Sequence, residues 1–177
     1  MLIVGKNLDG LVRRYDICPT SLVDQFSLKL KIDSQIRRMK PIRNQVVQTV
    51  AYGPGMKASL LFDDLTEVGP NIEIDPGGKL LACSDATFKI PAGYFGLIQT
   101  KGTLARLFVS CTCNDGQVEP GYSGKITLEV INQSNYKVVL PVGSEVAQLF
   151  LFKCSGDVHS LYAGKYQGAE SPTLPVF

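Results

Sequence analysis

The sequence predicts an all-β fold, a sandwich or barrel in one domain with short N-terminal helical turns and a C-terminal arm, and three observations predict it. From about Thr49 onward, short segments rich in β-branched and aromatic residues recur at close spacing. Clusters of Gly, Pro, Asn and Asp separate them, residues that favour the backbone angles of turns. Helical periodicity is scarce. The chain of 177 residues suffices for one substantial core and does not require two, so 1–177 is read as a single folding unit.

Taken in order, 8–15 and 21–25 each have the pattern of a turn or two of helix, with Ser21 as N-cap of the second. The strand candidates are VVQTVAY (46–52), ASLLF (58–62), KLLAC (79–83), ATFKI (86–90), FGLIQT (95–100), ARLFVSCTC (105–113), KITLEVIN (125–132), KVVLP (137–141) and EVAQLFLFKC (145–154). That many strands in one domain suit a closed or nearly closed sheet. Turns fall at GPG (53–55), PGG (76–78), PAG (91–93), NDG (114–116) and PG (120–121), and the Asn-Asp-Gly run is a strong hairpin signal. From Ser155 onward Gly, Ser, Tyr and Pro replace the aliphatic runs, as suits an arm rather than a core strand.

Eighteen basic against sixteen acidic residues leave a net charge of +2, too balanced for a chain that grips a nucleic-acid backbone. The basic stretch Arg37, Arg38, Lys40, Arg43 reads as a solvated face. No apolar run reaches the length of a membrane span, and the first residues lack the features of a secretory signal, so a soluble cytoplasmic protein is expected. Five cysteines form an odd, scattered set in strand-like surroundings, which argues against a disulfide framework. Cys111 and Cys113 with a distant His159 lack a second ligand pair at zinc spacing, so no protein-bound zinc is expected.

The segment KGTLARLFVSCTCNDGQVEPGYSGKITLEVIN (101–132) is more specific. It resembles the central motif block of the dCTP deaminase and dUTPase superfamily. There a Leu-Ala-Arg element leads into a hairpin, an acidic-Pro-Gly-aromatic turn and a strand ending in Glu. SLVDQFSLKL (21–30), IPAGYFGLIQT (90–100), LPVGSEVAQLFLF (140–152) and YAGKYQGAESPT (162–173) extend the likeness, in order, over most of the chain. Two places favour the deaminases: Glu129 stands where they keep a catalytic glutamate, and YAGKYQG looks like their arm rather than the glycine-rich end of dUTPases.

The resemblance implies a dUTPase-like, jelly-roll type of distorted barrel. It implies a zinc-independent dCTP deaminase that converts dCTP and water to dUTP and ammonia. The alternatives are a bifunctional deaminase and diphosphatase, or a dUTPase, giving dUMP, and a weakened nucleotide-binding or regulatory protein. Glu129 would cycle the protons, ordered by Arg106. Lys101, Gly102 and Thr103 would meet the triphosphate, and Glu119 the deoxyribose 3′-hydroxyl. Gln148 and the backbone of Thr127 and Leu128 would complete the base and sugar pocket. Tyr162, Lys165 and Tyr166 would fold over the phosphates. Mg²⁺ would arrive on the nucleotide, held through its phosphates. The implied assembly is a homotrimer with sites between subunits, and dTTP joins dCTP and dUTP among the implied nucleotides, as an inhibitor.

Read without the resemblance, strand alternation puts Ile126, Leu128 and Val130 on one face and Lys125, Thr127, Glu129 and Ile131 on the other, where a glutamate can simply be solvated. Three positions depart from the family pattern. Gly102 replaces a serine whose hydroxyl helps place the catalytic water, Ala169 stands where a glutamine commonly binds phosphate, and Pro175 stands near a usual serine.

Overall fold

The computed structural model describes residues 1–41, 49–112, 114–156 and 159–176. Helix α1 (Gly5–Tyr15) buries Leu8, Leu11 and Val12 and stops at Asp16, which adopts the left-handed conformation (φ 50°). It begins three residues before the sequence-based limit. The second helical segment shrinks to one 3₁₀ turn, Thr20–Leu22, preceded by Pro19, and Ser21 does not cap it.

Eleven strands follow among the described residues: β1 (Leu28–Lys31), β2 (Gln35–Arg38), β3 (Thr66–Glu67), β4 (Asn71–Ile74), β5 (Lys79–Lys89), β6 (Tyr94–Thr100), β7 (Val109–Ser110), β8 (Gln117–Val118), β9 (Ser123–Asn132), β10 (Val138–Pro141) and β11 (Glu145–Lys153). They pair antiparallel in three sheets, ordered β1-β11-β6-β8, β10-β4 and β3-β2-β5-β9-β7. The barrel is therefore distorted into sheets that enclose one core, with no continuous closed ladder among the described residues. Leu28, Leu30, Ile72, Ile74, Phe88, Leu128 and Leu149 lie fully buried inside it.

The long β5–β9 pairing runs from Lys79 opposite Ile131 to Lys89 opposite Ser123, with a register shift between Cys83 and Thr87. At that bulge the buried Ser84 hydroxyl donates to Ala86 O (2.7 Å) and accepts the Ile126 N–H (2.9 Å), standing in for the broken ladder. At the far end of β9 the fully buried Asn132 amide donates to the carbonyls of Ile74, Asp75 and Tyr136 while its oxygen accepts from Ser134.

Three strand expectations change. Of 46–52, residues 46–48 lie outside the described residues, and 49–52 are not strand. Residues 58–62 form a 3₁₀ turn (Ala58–Leu60), tied in by a bridge from Phe62 to Met39. Most of 105–113 is not strand: α2 (Gly102–Ala105) is a single turn, closed by Ala105 N–H to Lys101 O (2.9 Å) and propped by the Arg106 guanidinium on Gly102 O (3.0 Å). Phe108 then turns the chain at φ 58° into the two-residue β7.

Candidate functional site

Strand β9 carries the centre of the site. Its residues alternate between half-buried and buried from Ser123 to Asn132, so Lys125, Thr127 and Glu129 share the face turned away from the core. That face is half-covered. An open cavity of about 540 Å³ lies there, and Glu129, Thr127, Glu119, Tyr162 and Tyr166 all line it.

Glu129 stands opposite Leu81 on β5, and its Oε2 accepts the backbone N–H of Asn114 at 2.8 Å. The bond is charge-assisted, and it leaves Oε1 as the oxygen not used by Asn114. Thr127 Oγ1 accepts the Thr173 N–H (3.1 Å) and shares a hydrogen bond with the Thr173 hydroxyl (3.0 Å). Glu119 is exposed in the turn before β9, and its carbonyl accepts the Tyr122 N–H (3.1 Å).

The arm folds along the same face. Tyr162 N–H donates to Pro120 O (2.8 Å), Gly168 N–H to Ser123 O (2.7 Å), and Lys125 N–H to Ala169 O (2.7 Å). The Tyr162 ring tilts against Tyr122, centroids 5.7 Å apart. Burial above all pushes the Tyr122 phenol up to about 12, so it stays protonated and donates to Lys125 O (2.6 Å). Arg37 reaches the arm as well, Nε to Pro172 O at 3.2 Å, so it is a structural clamp rather than a purely solvated charge; Arg43 lies outside the described residues.

The other sequence-derived residues lie elsewhere on the same chain. Leu128 packs its side chain into the core. Lys165 donates to Val176 O (3.0 Å) and does not line the cavity. Lys101 pairs with Glu145 (2.5 Å), and Gln148 donates to the Ser27 hydroxyl (3.1 Å). Gly102 and Thr103 are exposed on α2. Arg106 is exposed and borders a separate hollow with Phe108, Gln133 and Tyr136, so within one chain it does not reach Glu129's cavity. Sequence reasoning missed Asn114, Asp115, Gln117 and Thr173, which line or anchor the cavity. The Asn-Asp-Gly run, expected to turn a hairpin, instead connects two sheets, since β7 pairs with β9 and β8 with β6; the turn signal said nothing of the carboxylate that Asn114 meets. Among the described residues, no group of three or more His, Cys, Asp or Glu is placed to hold a metal.

A distorted antiparallel barrel with a carboxylate held by a loop N–H beside an acidic turn, roofed by its own C-terminal arm, defines the class. A family model described as dCTP deaminase-like matches residues 7–154, and the chain belongs to that family. Among its relatives, the "dCTP deaminase, dUMP-forming" of Corynebacterium glutamicum (strain R) is 36% identical over 121 residues, covering 63% of this chain and 64% of that protein's own length. The protein of the same description from Mycobacterium leprae (strain Br4923) is 26% identical over 182 residues, covering 98% of this chain and 94% of that one. The crystal structure of 2'-deoxycytidine 5'-triphosphate deaminase from Agrobacterium tumefaciens superposes with a TM-score of 0.61 at 18% identity. It covers 85% of this chain and 47% of the other, and it shows the shared fold.

Proposed function

We propose that the protein deaminates dCTP and carries the product on to dUMP. The observation that carries this reading is the placement of two carboxylates, Glu129 and Glu119, in one cavity, with Glu129 oriented by the Asn114 N–H. The relatives described as dUMP-forming favour this bifunctional reading over simple release of dUTP.

In the first step the free oxygen of Glu129 takes a proton from water as the water oxygen bonds to C4 of cytosine, and the carboxyl returns the proton to N3. A second proton passage to the 4-amino group lets the C–N bond break and ammonia leave, giving dUTP. In the second step Glu119 takes a proton from a water whose oxygen bonds to the α-phosphorus, and the bond from that phosphorus to the bridging oxygen breaks, so pyrophosphate leaves with the bridging oxygen and dUMP remains. Mg²⁺ carried by the triphosphate supplies charge neutralisation for that step.

The phosphate-binding and ordering residues Lys101, Thr103, Arg106 and Gln148 would come from a neighbouring copy in a homotrimer. Exposed Leu107, Phe108 and Tyr136, which line the hollow beside Arg106, give such an interface apolar surface to bury. Thr103 is the hydroxyl on hand to replace the serine lost at Gly102.

The test is to incubate the protein with each deoxynucleoside triphosphate and Mg²⁺ and resolve bases and phosphates by chromatography, with light scattering in parallel. Ammonia, dUMP and pyrophosphate from dCTP support the reading. Accumulated dUTP restores the simpler deaminase, and binding without turnover points to a regulatory protein. A stable monomer that turns over dCTP overturns the shared site.

A further inference from the structure

Lys101 does not meet Glu145 alone. Oε2 of Glu145 lies 2.5 Å from Lys101 Nζ, and Oε1 lies 3.2 Å from Lys29 Nζ, so one carboxylate bridges two ammonium groups. Both lysines are fixed to the strand that carries Glu145. Lys101 N–H donates to Val146 O (2.9 Å), and Lys29 on β1 stands opposite Gln148 on β11. Lys29 and Gln148 are half-buried on the outer face, while their neighbours Leu28 and Leu149 are fully buried. Gln99 on β6 continues the row across the sheet. The patch therefore offers ammonium and amide donors on three adjacent strands, with two positive charges and one negative.

We propose that Lys29 is a second phosphate-binding lysine and that Glu145 competes with the substrate's triphosphate for it and for Lys101. The inference rests on the reading of Lys101 as a triphosphate ligand and adds two residues to it. A single carboxylate neutralises half of the pair, and a triphosphate brings several negative charges within reach of both ammonium groups, so it displaces Glu145 from them. The two lysines hold the Glu145 carboxyl below its ordinary range through their hydrogen bonds, so Glu145 is charged throughout the neutral range and the competition is always present.

Calorimetric titration tests this with three ligands, dCTP, dCMP and inorganic tripolyphosphate, in low salt at fixed Mg²⁺. Lys29→Met should weaken dCTP and tripolyphosphate by about tenfold or more, the order of one charge-assisted hydrogen bond, and leave dCMP within about twofold. Lys29→Arg should recover most of the loss. Glu145→Gln should tighten dCTP by roughly three- to tenfold, an effect that fades as salt rises. If Lys29→Met changes dCTP affinity no more than Lys137→Met does, or if Glu145→Gln weakens binding, the inference is wrong even though dCTP binds. If the parent protein binds tripolyphosphate in a Lys29-dependent way but no dCTP, the phosphate patch stands and the nucleotide reading fails. Binding of none of the three ligands overturns both.

Discussion

Glu129 on β9 and Asn114, in the connection that leads into β8, meet through a 2.8 Å hydrogen bond from the Asn114 backbone N–H to the Glu129 carboxylate. A main-chain donor cannot be removed by changing the Asn114 side chain, so the carboxylate's orientation depends on the path of the chain at Asn114. Glu129→Gln keeps an oxygen acceptor for that N–H but cannot carry a proton. Deamination is expected to fall by at least about 10²–10⁴-fold while dCTP affinity stays within a few-fold, measured by steady-state kinetics and titration side by side. Deamination at the parent rate would return Glu129 to the role of a half-solvated strand residue.

The Lys125–Asp33 ion pair sets a pH dependence of stability. Burial pushes the Asp33 carboxyl up, but hydrogen bonds from Lys125, the Gln35 N–H and Ser34, with the Lys125 charge, outweigh it and hold the carboxyl below its ordinary value. Asp33 therefore stabilises the fold above its unfolded pKa of about 3.9, and that contribution is lost as the pH falls through the lower folded value. Lys125 is raised, chiefly by its hydrogen bond to Asp33, so its contribution is full below about 10.4 and is lost as the pH rises through the folded value. Urea denaturation from acid to alkaline pH should show both limbs for the parent. Asp33→Asn should flatten them and cost about 1–3 kcal/mol at neutral pH.

Gly121 turns the chain at φ +94°, and a Cβ there would lie 2.7 Å from Leu161 Cβ and 3.0 Å from Tyr162 N. Gly121→Ala should therefore destabilise the protein by about 1–3 kcal/mol through strain and contact together. Its local signature is a looser arm. Limited proteolysis should cut within 159–173 sooner than in the parent, and unchanged cleavage kinetics would contradict the docking of Tyr162 on Pro120.

Burial pushes the thiols of Cys18, Cys83 and Cys111 up to about 12. At pH 8 only about one in ten thousand of each is thiolate, the reactive form. Treatment of the folded protein with a disulfide reagent, followed by peptide mass spectrometry, should find Cys154 modified and these three protected until urea is added. Rapid native labelling of Cys83 would show that the β5 bulge opens readily.

Much of the barrel was legible because its long strands obey a period of two. The β9 and β11 segments, KITLEVIN and EVAQLFLFKC, were located to within two residues at either end. Shorter strands escaped for a physical reason. LKLK and NIEI alternate correctly, yet four residues with charged or polar outward positions give too little apolar signal to stand out from loop. The α2 error has the opposite cause, since four residues are too few to show a helical period, and the apolar run beyond them imitates a strand. Residue identity in the candidate site was legible only through motif likeness. The Glu129–Asn114 and Lys29–Glu145 contacts join positions far apart in the chain, and no local pattern records them.

The alternation along β9 separates two kinds of selection within ten residues. Ile126, Leu128 and Val130 answer to the core, whereas Lys125, Thr127 and Glu129 answer to whatever occupies the cavity and the arm above it. A lineage can therefore exchange members of the second set, altering or extinguishing chemistry, while the first set keeps the chain foldable. Such a strand lets descendants diverge in activity without passing through an unfolded ancestor.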